Sequence, residues 1–174
     1  AAYHVMHGDT DPTGQQRGRG KHCPCAHGEE FEQVKAVGPF DAHHAGVILP
    51  AEHAQIANKL TKGLPHNSAD ALRHCYWSCR MAQDIGKRQA KAVGDIHERC
   101  GSGTTTENQK DLDNNKIGRD LADSTPKGPK GKPGRKKPEY YEQRRREVLK
   151  RKQNHSIEEC RNKWKDGTLT RGNP

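Results

Sequence analysis

The chain has 174 residues, only 29% hydrophobic and 5% aromatic, with 31 Lys and Arg against 22 Asp and Glu for a formal charge of +9. That length favours one domain with tails, and so little apolar material cannot make a core of the whole chain. No stretch approaches the roughly 18 consecutive apolar residues of a transmembrane helix, and Ala1-Ala2-Tyr3-His4 lacks the basic-then-apolar pattern of a cleavable signal.

A basic surface suits a polyanionic partner, whether nucleic acid, anionic lipid headgroups or an acidic protein, and charge alone does not choose among them. Export, if it occurs, is expected as part of a larger polypeptide or by a route needing no cleavable signal.

Residues 1–40 show no sustained period, and Gly8, Pro12, Gly14, Gly18 and Gly20 break any regular element, so an irregular N-terminal segment is expected. It contains His22-Cys23-Pro24-Cys25-Ala26-His27, a concentration of metal-capable side chains that would serve as a zinc or copper clip. Cys-x-Cys with flanking His is not a standard structural spacing, however. With Cys75, Cys79, Cys100 and Cys160, the two cysteines of this segment fit no paired CxxC pattern. Ordinary buried thiols are the default expectation, with disulfides as the alternative. Cys75 and Cys79 lie one helical turn apart, so each would reach a neighbouring helix rather than the other.

Residues 41–123 read as an all-α core. Asp41, His43 and His44 form a polar cluster before its first helix, better explained as surface loop than as ligands. Pro50 fits the first turn of a helix over 51–62, with Ile56, Ala57 and Leu60 on one side and Gly63 and Pro65 as stop signals. Ser68 reads as the N-cap of a second helix, stopped by Gly86. On it, Asp70, His74, Trp77, Ser78 and Met81 share one face beside an apolar stripe of Leu72, Cys75, Cys79 and Ala82. A third helix over 87–99 buries Ala90, Val93 and His97, with Asp95 and Glu98 flanking the histidine. A fourth, over 107–123, is dense in amides and carboxylates. Gly118 inside it costs about 1 kcal/mol against Ala, which implies a close approach by another helix or a substrate.

Residues 124–138 are a cationic Pro/Gly/Lys linker. Residues 139–174 supply a helix over 139–153 rich in arginine, either phosphate-binding or simply solvated. A short docking helix then starts at Ser156 with the capping box Ser156-Ile157-Glu158-Glu159, carries Trp164 on its buried face and ends at Gly167.

Two histidines on apolar faces of successive helices, joined by a third helix bearing carboxylates and amides, point to a site. A general base needs an imidazole oriented by a carboxylate, and a hydrolytic metal site needs about three His or carboxylate ligands with an open position. The residues satisfy either requirement. The expected catalytic set is His74, His97, Asp70, Glu98, Asp111, Asp113, Asn114 and Asn115, with Arg73, Arg119, Trp77 and Asn67 as substrate contacts. A divalent ion, if one is bound, is expected on His97, Asp111 and Asp113.

The pattern Asp70-Ala71-x-Arg73-His74-x-x-Trp77, then His97-Glu98, then Asp111-Leu112-x-Asn114-Asn115-x-x-Gly118-Arg119 resembles a family of bacterial domains. These occur at the C-termini of large secreted polymorphic toxins of the Rhs or contact-dependent kind. The resemblance spans residues 43–122 and departs from the family pattern at Asp113, a position that usually carries His. Aspartate can replace it as a ligand but not as a proton-transfer base. The resemblance implies an α-helical antibacterial effector, delivered from a bacterium into a target cell and restrained by a cognate immunity protein.

It does not name a reaction. The basic C-terminal part favours a phosphodiester substrate, hence a nuclease, with Arg73 or Arg119 steadying phosphate charge. The rival is a phospholipase: a helical His beside Cys and Tyr with a nearby Asp is similar to the phospholipase A2 layout. The His-Asp-x-Cys-Tyr and glycine-rich calcium-loop motifs of that layout are missing. A third class is a non-enzymatic cationic module that binds nucleic acid or a protein.

Overall fold

The computed structural model describes Cys25 and residues 28–101, 103–127 and 138–170. Among these residues the fold is all-α, with seven α-helices and no strand. α1 (Glu29–Val37) leads to α2 (Pro39–His43), which runs through a π-helical turn, His44–Ile48, into α3 (Leu49–Thr61). α4 (His66–Ile85), α5 (Lys87–Cys100) and α6 (Thr105–Leu121) follow. α6 tightens into a 3-10 turn at Ala122–Ser124, and α7 (Pro138–Lys165) completes the order.

α4 is the axis, packed by α3, α5, α6 and α7. Its apolar residues are not confined to one stripe, and a helix of that kind must be enclosed. Ala71, Leu72, Cys75 and Tyr76 join Ile56, Leu60, Cys160 and Leu169 in one cluster. Trp77, Met81 and Ala82 join Ala45, Leu49, Ala90 and Val93 in another. Full burial of a side chain such as Leu72 or Met81 contributes about 1.5–3 kcal/mol.

Two glycines set the geometry around α4. Gly86, at φ 89° and ψ 155°, takes a conformation open essentially to glycine alone and turns the chain from α4 into α5. Gly118 lets α6 lie directly on α4: a Cβ there would stand 2.1 Å from the carbonyl oxygen of Cys75. The close approach anticipated for Gly118 is therefore made by a helix.

A buried polar cluster also ties α3 to α4. Glu52 accepts from Tyr76 Oη (2.6 Å), Arg80 Nε (2.6 Å) and Arg80 Nη2 (3.0 Å). Asp84 completes the neutralisation of Arg80 at 3.0 Å and also takes His44 at 2.8 Å and Lys152 at 2.6 Å. These partners hold the Asp84 carboxyl far below its ordinary range, against the opposing effect of burial.

Several expectations need correction. The irregular segment does not extend to residue 40, because α1 starts at Glu29, where three glutamates in the first turn suit the helix dipole. Asp41, His43 and His44 are helical rather than loop. Ser68 does not cap α4: the helix starts at His66 after Pro65, and Ser68 is buried inside it. The capping box expected at Ser156–Glu159 falls inside α7, and one forms instead between Thr104, the N-cap of α6, and Glu107. α7 is one continuous helix, not two. Nothing between Asn154 and Ser156 breaks it, and Ser156 donates its hydroxyl to Cys79 Sγ rather than to a helix start. The thiols are not all free either: Cys25 pairs with Cys100 and Cys75 with Cys160, leaving Cys79 as a buried thiol among the described residues. Both pairs join residues 75 or more positions apart, a proximity created by helix packing that no local spacing reveals. Of the anticipated metal clip only Cys25 is described, and its sulfur is in a disulfide; the remainder lies outside the described residues, as do residues 128–137 of the basic linker.

Candidate functional site

The site forms where α4, α5 and α6 meet. α4 supplies Asp70 and His74 one turn apart, and α6 supplies Asp111 across from them. His74 Nε2 lies 3.9 Å from Asp70 Oδ1 and 3.6 Å from Asp111 Oδ1. One donor atom from each of the three falls within 4.8 Å of the others.

The opposite edge of the imidazole faces α5, with His74 Nδ1 3.4 Å from Glu98 Oε1. Glu98 is itself fixed: Asn115 Nδ2 donates to Glu98 Oε1 at 2.9 Å, and Ser78 Oγ donates to Asn115 Oδ1 at 2.8 Å. This buried relay passes from α4 through α6 to α5 and stands a carboxylate behind the histidine. His74 is 6% exposed and forms the floor, whereas the Asp70 and Asp111 side chains, 32% and 18% exposed, form a rim that solvent reaches.

Electrostatically the cluster is divided. Burial, reinforced by the charges of Asp70 and Glu98, pushes the Asp111 carboxyl up to about 8. Burial likewise pushes Glu98 up to about 7 against the pull of His97 and Asn115. Burial acts on Asp70 in the same sense, but His74 and Arg73 outweigh it and hold that carboxyl below its ordinary value. Arg73 Nη2 donates to Asp70 Oδ1 at 2.6 Å. One carboxylate held ionised thus stands beside two whose ionisation burial disfavours.

His97 belongs to the next layer. It is 4% exposed, and its Nδ1 lies 2.8 Å from Glu29 Oε1 of α1. Burial opposes its protonation, yet the Glu29 bond and charge prevail and raise its pKa. Its ring meets Trp77 edge-on, with centroids 5.1 Å apart, and lies 6.2 Å from that of His74. Trp77 is a wall rather than an exposed substrate contact: it is buried and donates Nε1 to the Ala45 carbonyl at 3.1 Å. Beyond Trp77 and His97 opens an apolar cavity of about 200 Å³ between α1 and the π-helical turn.

The anticipated metal set of His97, Asp111 and Asp113 is not brought together. His97 is engaged by Glu29, and Asp113 is exposed and accepts from Gln109 Nε2 at 3.0 Å on its own helix face. The grouping that forms is Asp70, His74 and Asp111. Asn114 also leaves the catalytic list, since both ends of its amide bind the backbone of Thr170, at 3.1 and 2.9 Å, and anchor the segment after α7. Asn67 sits in the first turn of α4, half-buried. Arg119, one turn beyond Asn115, lines a groove between α5 and α6 that it shares with Glu98. Glu29 is absent from the expected set because it lies in the segment expected to be irregular; the acidic run after Gly28 is the sign in the sequence of a helix start there.

Residues 49–137 match the family described as Domain of unknown function (DUF6973). The chain belongs to this family. The family domain takes in α3 to α6, and with them Asp70, His74, Glu98, Asp111, Asn115 and Arg119; Glu29 of α1 and all of α7 lie outside it. No solved structure matches the chain.

Proposed function

We propose that the chain is a hydrolase that cleaves phosphodiester bonds, acting as the toxic domain of a bacterial effector restrained by an immunity protein. The observation that supports the hydrolase reading is the convergence of His74 Nε2 with the Asp70 and Asp111 carboxylates, with Glu98 behind the other ring nitrogen. One imidazole and two carboxylates make a donor set for a divalent ion that leaves coordination positions open. The carboxylate behind the histidine is the usual means of fixing its tautomer and orientation. Such an ion supplies Lewis-acid polarisation of a phosphoryl oxygen and acidifies the water it binds. Asp70 and Asp111 would hold it at the rim, and Arg73, fixed by Asp70, would set a guanidinium beside the substrate's charge. The effector role is supported by the resemblance of the three motifs to polymorphic-toxin domains.

The test is purified protein on DNA and RNA with magnesium, manganese or zinc, against a chelated control. Cleavage is expected to stop on chelation and to fall by about a thousandfold or more in His74→Ala, the scale on which catalytic groups contribute. Asp111→Asn should behave like His74→Ala and lose bound metal by direct metal analysis. Nucleic acid left intact under every divalent ion sinks the reading.

One observation favours a second reading, a lipid-ester hydrolase. The elements that bound the apolar cavity, α1, α2 and the π-helical turn, carry Phe31, Phe40, Val47 and Ile48 exposed, Phe40 by 89%. Release of fatty acid from anionic vesicles with nucleic acid untouched would select this reading; intact vesicles would remove it.

A further inference from the structure

Among the described residues two arginines are buried, Arg80 and Arg119, and they are treated in opposite ways. Arg80 is 1% exposed and surrounded by Glu52, Asp84 and Gln83, which accept from all three of its nitrogens. Arg119 is 6% exposed, its Nη1 is enclosed without a hydrogen-bond partner, and its guanidinium makes no ion pair among the described residues. The carboxylates that act on it from a distance, Asp95 and Asp120, are each paired to lysine: Asp95 to Lys91, and Asp120 to Lys87 and Lys116 at 3.0 and 2.9 Å. Burial lowers its pKa, but a guanidinium does not lose its proton in a protein. The result is a largely enclosed cation with no carboxylate in contact among the described residues, an arrangement that folding alone disfavours. Such violations of local satisfaction concentrate where a ligand completes them.

Its surroundings indicate the ligand. The groove that Arg119 lines, about 450 Å³, has Lys91, Arg99 and Lys116 around it, with Asp95, Glu98 and Asp113 as the facing carboxylates. Lys91 is neutralised by Asp95 and Lys116 by Asp120, and Asp113 is turned to Gln109; Glu98 is bonded to Asn115. Arg99 and Arg119 are then the groove's cations without a carboxylate in salt-bridge contact among the described residues, while Asp113 and Glu98 face the same groove. A planar fork of N–H donors fits the paired oxygens of a phosphate better than it fits a halide or water.

We propose that the groove between α5 and α6 is a phosphate-binding subsite centred on Arg119. Glu98 separates it from His74, so the phosphate it holds is a neighbour of the scissile one along a polymer rather than the scissile group itself. As a substrate subsite it rests on the phosphodiesterase reading above, whereas anion binding there stands independently.

The test uses the full chain in the presence of a chelator, so that a divalent ion at Asp70, His74 and Asp111 cannot carry the anion. Thermal denaturation and calorimetry are run with sodium phosphate, and separately with a 5′-phosphorylated dinucleotide, each against sodium chloride at matched ionic strength. Wild type should be stabilised by both and bind the dinucleotide more tightly. Arg119→Met should lose the response while unfolding no earlier than wild type without ligand, because it removes a largely enclosed charge. Arg145→Met, an exposed charge loss on α7, should keep the response. If Arg119→Met does not fold, Arg119→Lys retains charge but not the fork, and its affinity should fall at least tenfold. Absence of any phosphate response in wild type, or an undiminished response in either Arg119 variant, overturns the proposal. A phosphate response without cleavage of any nucleic acid leaves the subsite standing and removes the phosphodiesterase; cleavage without the response does the reverse.

Discussion

His53 is as deeply buried as His74, and its burial has a consequence for acid stability. It is 2% exposed, both ring nitrogens are enclosed without hydrogen-bond partners, and its ring stands 6.0 Å from that of Tyr76. Burial, helped by the charge of Arg73, pulls its pKa from 6.5 down to about 4. The unfolded chain therefore takes up this proton near pH 6.5, whereas the folded chain resists it until pH 4. Between those values, acidification favours the unfolded state, so the stability present above pH 6.5 is lost as pH falls. At about 1.4 kcal/mol per unit, the loss from this residue approaches 3 kcal/mol. Urea unfolding from pH 7 to pH 4 should show a shallower decline in His53→Leu than in wild type. Parallel curves would mean that His53 carries no part of the acid sensitivity.

At the scale of helices, the contact of α6 with α4 sets the distance between Asp111 and His74. Gly118 controls that contact, since a Cβ would meet Cys75 O at 2.1 Å, main chain that cannot swing aside. Gly118→Ala would gain about 1 kcal/mol of helix propensity, but overpacking of this kind typically costs about 1–3 kcal/mol. A net destabilisation is expected, and because α6 must lift, divalent-ion affinity at Asp70, His74 and Asp111 should fall more than the melting temperature suggests. An unchanged affinity in a folded Gly118→Ala protein would disconnect the two. This contact was legible in the sequence as a glycine placed against propensity. Helix stops at Gly63, Gly86 and Gly167 were legible for the same reason, a local backbone requirement. Helix starts were less so: Ser68 has the chemistry of a cap, but Pro65 and His66 begin the helix before it, and at Asn154 to Ser156 nothing local marks the continuity of α7.

Across the whole molecule, the division of labour among site residues depended on tertiary proximity, which periodicity does not encode. The face carrying Asp70 and His74 could be read from spacing; that Asn114 would bind Thr170 while Asn115 holds Glu98 could not, since adjacent residues point about 100° apart around a helix. The disulfides are the same kind of fact. Cys75–Cys160 pins α7, which lies outside the family domain, onto α4 one residue from His74, and Cys25–Cys100 ties the chain ahead of α1 to the end of α5. Closing a loop of 85 residues removes about 4–5 kcal/mol of unfolded-state entropy on the chain-entropy account. For a chain of this length that corresponds to a melting temperature lower by roughly 10–20 °C once the bond is absent. Cys75→Ala/Cys160→Ala, compared with wild type under non-reducing conditions, should show a fall of that size, and added reductant should lower wild type at least as far. Cys79→Ser should shift little by comparison, because Cys79 closes no loop and its sulfur serves mainly as acceptor for Ser156 and Gln83. A double variant that melts with wild type would mean that α7 is held by its apolar contacts through Ile157 and Trp164, with the disulfide adding nothing to the packing.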